Sequence, residues 1–433
     1  MKVAFETLGC KVNQYETEAM RALFVDAGYT PVDFDEAADV YVINTCTVTN
    51  LGDRKSRQMI RRATRKNPDA VVVVTGCYAQ TAPDEVKSID GVRLVLGTRH
   101  RDRVVELVES LDENECRVEV ETITHNRDFE ALGVEVYHDR TRAFLKIQDG
   151  CDRYCSYCII PYARGPVRSR PLPEIVAEAE KLRDNGCREL VLSGIHVASY
   201  GKDFKDGTDL FSVIDALEQT AGIERIRMSS VEPVWVNEKL TEAASRWAKL
   251  CDHQHLSLQS GCDKILKKMN RRYTTADYEA AVNRLRELYP DIAITTDIIV
   301  GFPEETEEDF LETMAFAERI GFAQIHVFPY SPRKGTPAAD NPHQVDGNVK
   351  NDRAARLGAL AEELHKQFLT AQCGKCRDVL FEEKQQGYWI GHTSNYQKVY
   401  VRSPQDLSGK IVPVRLESLY ADGILGGVCI GEK

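Results

Sequence analysis

The chain has 433 residues and a formal net charge of −11, which argues against a protein that binds nucleic acid through a general excess of positive charge. No apolar run reaches the length needed to cross a bilayer, and residues 1–5 lack the apolar core of a secretory signal. Thirteen cysteines without an export signal indicate the reducing cytoplasm, where cysteines bind metals or act in catalysis more often than they form disulfides. The length predicts about two to four domains.

Residues 1–111 are predicted to form a doubly wound α/β domain, because near-continuous apolar runs alternate with helical segments. Such runs are typical of parallel strands buried on both faces of a sheet. Asn13 and Glu16 have the spacing of a capping box at the start of the first helix, and Gly28 would end that helix. The predicted strands cover residues 3–8, 40–43, 71–74 and 93–96.

Each of the first three predicted strands is followed by a cysteine, namely Cys10, Cys46 and Cys77. The carboxyl ends of parallel strands meet at one edge of a sheet, so these thiols are expected to converge there. One such cysteine alone would be interpreted as a small buried residue. Three at equivalent places, two of them preceded by the glycines Gly9 and Gly76, favour a metal site held by three thiolates.

Residues 112–140 are acidic and then of mixed charge, and they contain no clear long element. We interpret them as the connection between two domains. Cys116 stands among polar residues of this segment and is interpreted as a structural residue, either solvated or half-buried.

The segment 151–158 carries Cys151, Cys155 and Cys158 in a C-x₃-C-x₂-C spacing, just after a short predicted strand. Three thiolates this close can converge on one soft metal centre, either zinc or an iron–sulfur cluster. A closed structural zinc site takes four ligands, and the nearest histidine downstream is His196. A four-iron cluster on three cysteines leaves one iron open to an outside ligand, and the sequence favours this interpretation.

The C-x₃-C-x₂-C spacing resembles that of the radical S-adenosylmethionine (radical SAM) enzymes. Essentially the whole chain is similar to the radical SAM methylthiotransferases, through this loop together with Gly9-Cys10-Lys11-Val12-Asn13-Gln14-Tyr15-Glu16, Asn44-Thr45-Cys46 and Gly76-Cys77. Members of that family install a methylthio group on a tRNA adenosine beside the anticodon or on an aspartate of a ribosomal protein. Lys11-Val12-Asn13 is most similar to the branch that acts on N6-threonylcarbamoyladenosine.

The resemblance implies a [4Fe–4S] cluster on each set of three cysteines, with S-adenosylmethionine as the second cofactor. The catalytic cluster, on the Cys151 loop, would pass one electron to S-adenosylmethionine and release a deoxyadenosyl radical that takes hydrogen from the adenine ring. The N-terminal cluster would carry the sulfur, which another S-adenosylmethionine methylates. The implied partners are the tRNA anticodon stem-loop and a one-electron donor of the flavodoxin or ferredoxin type.

A second series of strand–helix units follows over residues 141–368, and its six units fall short of a closed eight-unit barrel. They fit the open, partial (β/α)₆ barrel that the radical SAM resemblance implies. Predicted helices include 173–185, ended by Gly186, and 304–319, ended by Gly321. The predicted strands are 143–147, 189–193, 225–229, 255–259, 292–300 and 323–328.

The ends of these strands supply candidates for contacts to S-adenosylmethionine, because barrel chemistry sits at the carboxyl ends of strands. Gly194 lies where the resemblance places contacts to the methionine amino group, and its missing side chain lets backbone approach a ligand. Arg271 is a candidate for a bidentate pair with the methionine carboxylate. The candidate set is Gly194, Ser230, Glu232, Gln259 and Arg271.

Two histidines near strand ends, His196 and His255, are interpreted as hydrogen-bonded polar residues rather than metal ligands. The carboxylate of Asp297, on the fifth predicted strand, is a further candidate for holding ribose hydroxyls or the ammonium group.

A predicted helix over 348–372 leads into short alternating segments separated by glycine turns, which predict a small antiparallel β-barrel over 369–433. This region resembles the TRAM domain of tRNA-modifying enzymes, a barrel of OB-like type. Tyr388, Trp389 and Tyr396 have two open interpretations, stacking on bases or packing on the barrel itself. The Cys373-Gly374-Lys375-Cys376 pair lacks a second pair at zinc spacing and is interpreted as incidental.

Basic residues cluster in two places although the chain as a whole is acidic. Most charge runs are only solvated faces, but both groups lie beside strand ends that carry cysteines or cofactor candidates, which favours phosphate contacts. The groups are Arg54, Lys55, Arg57, Arg61, Arg62, Arg65 and Lys66, and Lys264, Lys267, Lys268, Arg271 and Arg272.

Three alternatives stay open at this point. Within the resembled family, the acceptor could be isopentenyladenosine in tRNA or the aspartate of a ribosomal protein. In a different class, an RNA-binding scaffold could use the six cysteines to hold structural zinc.

Overall fold

The computed structural model describes residues 1–112, 115–123, 128–133 and 141–429, and its first unit is a six-stranded parallel sheet. The strands are β1 (Lys2–Thr7), β2 (Thr30–Val32), β3 (Val40–Thr45), β4 (Val71–Gly76), β5 (Val92–Leu96) and β6 (Arg117–Glu119). They pair in the order β2-β1-β3-β4-β5-β6, and every pair is parallel. β6 comes from the predicted connection 112–140, and half of the remainder of that segment lies outside the described residues.

Helices cover both faces of this sheet, because successive strand residues point to opposite sides. Val42 belongs to the buried cluster that contains Met20 and Phe24, whereas the next residue, Ile43, belongs to the cluster that contains Ile60. The helices are α1 (Lys11–Asp26), α2 (Asn50–Lys66), α3 (Cys77–Thr81), α4 (Pro83–Lys87) and α5 (Val104–Glu109), with a 3₁₀ turn at Arg101–Arg103. We call this sheet and its helices the N-terminal unit.

The predicted capping box at the start of α1 is wrong. The helix begins after Cys10, whose side chain makes no capping hydrogen bond. Asn13 and Glu16 lie inside the helix and are almost completely buried. The prediction of the helix end is close, since α1 stops at Asp26 and Gly28 follows with a φ of 85°, which favours glycine.

The central unit contains six parallel strands that follow one another in chain order, as the sequence predicts. They are β7 (Arg142–Lys146), β10 (Glu189–Ser193), β11 (Arg225–Met228), β12 (His253–His255), β13 (Ala293–Val300) and β14 (Gln324–Pro329), and a hairpin of β8 (Gln148–Asp149) and β9 (Arg168–Ser169) follows β7. Ladders join β7-β10-β11 and β12-β13-β14, and single parallel bridges such as Val231–Leu256 connect β11 to the segment of β12. Within the described residues no ladder joins β7 to β14, so the barrel is open.

The fourth strand differs from its prediction over 255–259. Regular pairing covers only His253–His255, and the chain then meets β13 again through a single bridge between Gln259 and Ile298. Gln259 has a φ of 73°, a left-handed conformation that interrupts a strand.

Eight helices lie in the central unit and after it. They are α6 (Ile160–Arg164), α7 (Leu172–Asp184), α8 (Leu210–Glu218), α9 (Glu238–Ala244), α10 (Asp263–Lys268), α11 (Thr275–Leu288), α12 (Glu307–Ile320) and α13 (Gly347–Gln372), with 3₁₀ turns at Val197–Ser199 and Pro233–Trp235. α12 starts three residues later than predicted, because Thr306 and Asp309 form its capping box. Gly321 ends it in a left-handed conformation, as expected.

The two faces of the central strands differ in polarity. Leu145, Leu190 and Ile294 pack in one large buried cluster with the surrounding helices. The alternate positions point inward and are polar, for example Glu189, Arg227 and others on every strand. We call the space inside this polar face the lumen.

Five strands form a closed barrel after α13, in the order β15-β16-β17-β19-β18. They are β15 (Cys376–Gln385), β16 (Tyr388–Thr393), β17 (Lys398–Val401), β18 (Ile411–Tyr420) and β19 (Gly423–Val428). The pairing is antiparallel except between β17 and β19, which run parallel, so the predicted antiparallel barrel is correct in all but one pair. In the part of the chain that the structure describes, no helix is both long and apolar enough to span a membrane.

Candidate metal centres and the cleft between them

Cys10, Cys46 and Cys77 follow β1, β3 and β4, which are neighbours in the sheet, so the predicted convergence is observed. A Cβ built on Gly9, whose φ is 104°, would lie only 2.8 Å from Cys46 Cβ, so the chain at Cys10 can approach Cys46 only because residue 9 is glycine. Burial raises the pKa of Cys77 to about 12, and the neighbouring thiols of Cys10 and Cys46 act in the same direction. We call these residues the N-terminal cysteine set.

Asn13 helps to hold this set in place. Its side-chain Nδ2 donates to Leu8 O at 2.7 Å and to Thr45 O at 3.0 Å, so it ties the residues before Cys10 to those before Cys46. Its Oδ1 accepts a hydrogen bond from Arg164 Nη2 at 2.7 Å. The residue that sequence spacing assigned to a helix cap therefore organises the metal-binding edge.

Glu16, the other residue of the expected cap, is the centre of a buried ion-pair network. Lys146 Nζ lies 2.8 Å from Glu16 Oε1 and Arg164 Nη2 lies 2.9 Å from Glu16 Oε2, while Arg101 pairs with the same carboxylate. Burial opposes ionisation of Glu16, but the charges of Arg101, Arg164 and Lys146 lower its pKa to about 2. Lys146 and Arg164 belong to the central unit, so the network joins the two units.

Arg164 links the network to the N-terminal cysteine set. Its Nε donates to Cys77 Sγ at 3.3 Å, and its side chain is fully buried. It lies at the end of α6, six residues after Cys158. Sequence reasoning missed this residue, because an arginine in a short helix carries no pattern that distinguishes it.

Cys151, Cys155 and Cys158 form a loop between β8 and α6, and we call them the loop cysteine set. Cys151 N donates to Gly165 O at 3.0 Å, and Cys158 N donates to Cys155 O at 2.9 Å. Burial raises the pKa of Cys151 to about 11 and that of Cys158 to about 12, and the thiols within the set reinforce the effect. The local spacing therefore does bring the three sulfurs into one buried group.

Both sets fit a cluster held by three thiolates. In each set the protein supplies three soft sulfur donors that influence one another electrostatically. A buried thiol with a raised pKa stays protonated alone, whereas a bound metal draws the proton off. Each set also receives a hydrogen bond from a buried arginine, an interaction of the kind that tunes cluster potential.

Glu232 and Arg271 are brought together beside the loop cysteine set. Arg271 Nη1 donates to Cys155 Sγ at 3.3 Å, and its Nη2 lies 3.2 Å from Glu232 Oε1. Burial opposes ionisation of Glu232, but contacts with His196, Arg271 and Arg153 lower its pKa to about 2. Arg271 was expected to pair with a ligand carboxylate, whereas in this structure it pairs with Glu232.

The other cofactor candidates have different surroundings. A Cβ on Gly194 would lie 2.9 Å from Gln148 Oε1, so the missing side chain makes room for Gln148 as well as for any ligand. Ser230 is exposed just after β11. Gln259 is half-buried, and its backbone N donates to Asp297 O at 2.9 Å. These residues end adjacent strands on the side where the loop cysteine set lies.

The first basic group forms a stripe along α2, which starts four residues after Cys46. Arg54, Arg57, Arg61 and Arg65 line one cavity of about 1060 Å³. Arg62 points elsewhere and pairs with Asp35.

The second basic group is largely neutralised, contrary to the expectation of phosphate contacts. Lys264 pairs with Asp309, Lys268 pairs with Glu304, and Arg271 is buried against the loop cysteine set.

The C-terminal barrel closes one end of the lumen through Tyr396. The guanidinium of Arg227 lies 4.6 Å from the centre of the Tyr396 ring, and the His392 ring stacks on it at 4.9 Å. Trp389 is buried in the barrel. Of the three aromatic residues considered for base stacking, these two pack on the protein. Tyr388 contacts Tyr400, Tyr420 and Arg402 at the barrel surface.

An open barrel of six parallel strands with a three-cysteine loop after its first strand defines the class of radical SAM enzymes. The comparisons agree, since residues 145–317 match the Radical SAM superfamily and residues 2–97 match "Uncharacterized protein family UPF0004". Among solved structures, the radical S-adenosylmethionine methyltransferase TsrM from Kitasatospora setae has a similar fold, with a TM-score of 0.59 at 17% identity, covering 78% of this chain and 77% of that one.

Curated relatives define the family more narrowly. The chain is 46% identical over 422 residues to the threonylcarbamoyladenosine tRNA methylthiotransferase MtaB of Bacillus subtilis, covering 96% of this chain and 93% of the relative. It is 34% identical over 455 residues to a tRNA-2-methylthio-N(6)-dimethylallyladenosine synthase of Akkermansia muciniphila, covering 99% of both. The chain therefore belongs to the radical SAM methylthiotransferases, in their MtaB-type branch. Membership makes S-adenosylmethionine and the [4Fe–4S] cluster its cofactors.

Proposed function

We propose that this enzyme transfers a methylthio group to N6-threonylcarbamoyladenosine beside the anticodon of tRNA, converting t6A to ms2t6A. The observation that carries the proposal is the coupling of the two cysteine sets, because Arg164 reaches from the helix after the loop cysteine set to Cys77 Sγ at 3.3 Å. An enzyme that generates a radical at one centre and delivers sulfur from another needs both centres in one rigid frame. The 46% identity to an MtaB protein supports the choice of acceptor.

The six cysteines are assigned as ligands of two [4Fe–4S] clusters, with the loop cysteine set as the catalytic one. When bound, the loop cluster supplies the electron that cleaves S-adenosylmethionine, and the N-terminal cluster supplies the sulfur that is transferred. The chain's own part is to orient the reacting groups and to exclude water from them. Arg164 and Arg271 each donate to one ligand sulfur, and both are buried, which supports a role in fixing the ligands and setting their charge.

Gly194, Ser230, Glu232, Gln259 and Arg271 are assigned to the binding of S-adenosylmethionine. Glu232 is ionised, which suits it to hold an ammonium group or ribose hydroxyls. Arg271 already has Glu232 as a partner, so its proposed contact with the methionine carboxylate would share the guanidinium between two carboxylates.

For RNA binding we assign the anticodon stem-loop to the α2 stripe and to the C-terminal barrel. The stripe supplies Arg54, Arg61 and Arg65 at a cavity that opens on the side of α2. The barrel is assigned to the TRAM type, an OB-like oligonucleotide-binding fold, on the basis of its five-stranded closure and of Tyr388 and Arg402 at its surface.

The proposed organisation follows the sequence. Residues 1–111, together with β6 (Arg117–Glu119), are assigned to the N-terminal cluster domain, the rest of 112–140 to the connection, 141–368 to the radical SAM domain and 369–433 to the RNA-binding domain. All thirteen cysteines are free thiols, which supports a reducing, cytoplasmic setting. An electron donor of the flavodoxin or ferredoxin type completes the partners.

The test offers the reconstituted enzyme three acceptors under anaerobic conditions: tRNA with t6A, tRNA with isopentenyladenosine, and the ribosomal protein. Mass spectrometry of the digested products should show methylthiolation of the t6A tRNA well ahead of the other two. Preferential modification of isopentenyladenosine or of the protein would refute the acceptor assignment and leave the family unchanged. A colourless protein that contains zinc would refute the enzyme itself.

A further inference from the structure

The lumen contains a polar group that neither cysteine set uses. His255, Asp297 and His326 lie on β12, β13 and β14, and one ligand-type atom from each lies within 4.8 Å of the other two. Asp297 faces His326 directly in the strand register, and His255 Nε2 lies 3.3 Å from Asp297 Oδ2. The imidazole rings of His255 and His326 stack with centroids 6.0 Å apart.

This group has unused hydrogen-bonding capacity. Thr295 Oγ1 lies 3.0 Å from His255 Nδ1 and fixes that ring, while the buried Nε2 faces Asp297 Oδ2 at 3.3 Å. Both nitrogens of His255 therefore have a polar neighbour, and the capacity left for a ligand is in the His326 ring, which makes no hydrogen bond within the described residues, and in the Asp297 carboxylate. His326 is exposed to the lumen.

The positive charge of Lys11 acts on the same group. Lys11 is the first residue of α1 and immediately follows Cys10, and its side chain is exposed. Its ammonium is close enough to act electrostatically on His326 and His253 and on Arg227 and Arg142. No ion pair joins Lys11 to a carboxylate among the described residues, whereas Arg227 and Arg142 have Glu189 and Glu382 as partners.

The surrounding charge decides which kind of ligand fits. Two histidines and a carboxylate at this spacing are also a common set of ligands for a divalent metal. Arg227 and Arg142 are paired with carboxylates, so the Lys11 ammonium is the charge that is left to repel a dication and attract an anion. The observations therefore favour an organic anion with additional hydrogen-bonding groups over a metal ion.

We propose that Lys11, together with His255, Asp297 and His326, forms the pocket that recognises the threonylcarbamoyl substituent, with Lys11 paired to its carboxylate. The inference rests on the proposed function, since it takes t6A as the acceptor. The substituent offers a carboxylate, a hydroxyl group and carbamoyl N–H groups. Asp297 accepts from a carbamoyl N–H, and the two imidazoles hydrogen-bond the hydroxyl group and the carbonyl oxygen.

The pocket also explains discrimination between acceptors. A site built from polar groups rejects a substrate that lacks their partners, because those groups then lose water without gaining a hydrogen bond. An isopentenyl substituent is apolar and would leave the Lys11 ammonium and the His326 imidazole without a partner. We therefore expect the carboxylate of the substituent, rather than its size, to determine which acceptor adenosine the enzyme prefers.

The test uses anticodon stem-loops that carry either t6A or its methyl ester, which keeps the size of the substituent and removes its charge. Binding is measured by fluorescence anisotropy on the cluster-loaded enzyme, and kcat/KM by product analysis. The wild type should prefer the t6A stem-loop to the ester at least about 10-fold. Lys11→Met should lose that preference, because it should weaken the binding of the t6A stem-loop and leave the binding of the ester unchanged. Lys11→Arg should restore part of it. Lys2→Met, at the opposite end of β1, is the matched control and should behave as the wild type.

His326→Ala provides a second variant that is remote in sequence from both cysteine sets, and it should lower the preference about 3-fold or more. Iron content must match the wild type in each variant, so that damage to the cluster beside Cys10 is recognised. Equal use of t6A and its ester by the wild type, or an unchanged preference in Lys11→Met, would overturn the pocket and leave the proposed function standing. Failure of the wild type to modify t6A would overturn both. Stoichiometric zinc that disappears in His326→Ala would show a metal site and refute the pocket.

Discussion

The two cysteine sets are built in opposite ways. The loop cysteine set lies within eight consecutive residues, and backbone hydrogen bonds such as Cys158 N to Cys155 O hold its turns. The N-terminal cysteine set comes from three strand ends that are separated by more than thirty residues each, and only the strand order β1-β3-β4 brings them together. The first set depends on local spacing and the second on the whole fold of its unit.

Their surroundings nevertheless follow one plan. In each set a buried arginine side chain donates to a cysteine sulfur at 3.3 Å, Arg164 to Cys77 and Arg271 to Cys155. Each arginine is bound in turn to a buried carboxylate, Glu16 or Glu232, whose pKa its positive surroundings lower to about 2. The difference is that Arg164 crosses from the central unit to the N-terminal unit, whereas Arg271 stays within its own. The N-terminal centre is therefore dependent on the contact between units.

The largest expected effect comes from removing the loop cysteine set. Changing Cys151, Cys155 and Cys158 together to Ala should leave about half the iron and abolish cleavage of S-adenosylmethionine, because the open iron that binds the cofactor is lost. Iron analysis and chromatographic assay of deoxyadenosine measure the two effects. Retained cleavage would contradict the assignment of the catalytic cluster.

Removing the N-terminal cysteine set should separate the two reactions. Cys10, Cys46 and Cys77 changed to Ala should still allow reductive cleavage of S-adenosylmethionine, since that chemistry belongs to the central unit, but should give no methylthiolated nucleoside. Mass spectrometry of the RNA product provides the measurement. Normal product from this triple variant would show that the sulfur does not pass through the N-terminal centre.

The ion-pair network between the units should matter for stability. Glu16→Gln removes the shared anion of three buried cations and should lower the free energy of unfolding by about 3–5 kcal/mol. Urea unfolding measures this, with Glu18→Gln as the control, because Glu18 pairs only with Arg21 near the surface of the same helix and should change stability by less than about 1 kcal/mol. Equal effects of the two changes would contradict the role of the network.

The same network has a defined pH dependence. The folded pKa of Glu16 is lowered to about 2 from the value of about 4.5 that an ordinary Glu has, so its stabilisation is complete above about pH 5 and is lost as the pH falls toward 2. The wild type should therefore lose stability over that window, and the Glu16→Gln variant should lose less. The measurement is the urea midpoint of both proteins between pH 6 and pH 3. If Glu16 were not ionised, the midpoints of the wild type and of Glu16→Gln would change equally over this range.

Sequence reasoning found what depends on spacing and periodicity. Four of the six strands of the N-terminal sheet, the six-unit series and both cysteine sets follow from apolar runs and from cysteines at strand ends, whereas the short strands β2 and β6 were not predicted. It missed what depends on long-range packing. Glu16 and Asn13 have the spacing of a capping box. Nothing local indicates that α1 already begins at Lys11, so that both residues lie inside the helix and bury their side chains. Arg164 was missed for the same reason, because its partners Cys77 and Asn13 are more than 80 residues away.

The charge clusters show a similar limit. The sequence places seven basic residues near α2, yet only the structure shows that Arg62 pairs with Asp35 while Arg54, Arg61 and Arg65 line the same cavity. It also shows that the group near α10 is mostly paired with acidic residues. Helical position alone cannot reveal partners that come from other elements.

The smallest expected effect concerns the α2 stripe. Replacing Arg54, Arg61 and Arg65 by Ala should weaken tRNA binding about 10-fold at moderate salt and reduce the slope of log affinity against log salt by about 2–3, because each arginine that contacts a phosphate releases counterions on binding. Cleavage of S-adenosylmethionine without RNA should not change, since the stripe lies away from the loop cysteine set on a different unit. Arg62→Ala is the matched control on the same helix, and its pairing with Asp35 predicts little change in affinity. An equal loss in the control would mean that the general charge of the helix, rather than the stripe, attracts the RNA. An unchanged salt slope in the triple variant would place the RNA on another surface and leave the C-terminal barrel as the main site of phosphate contact.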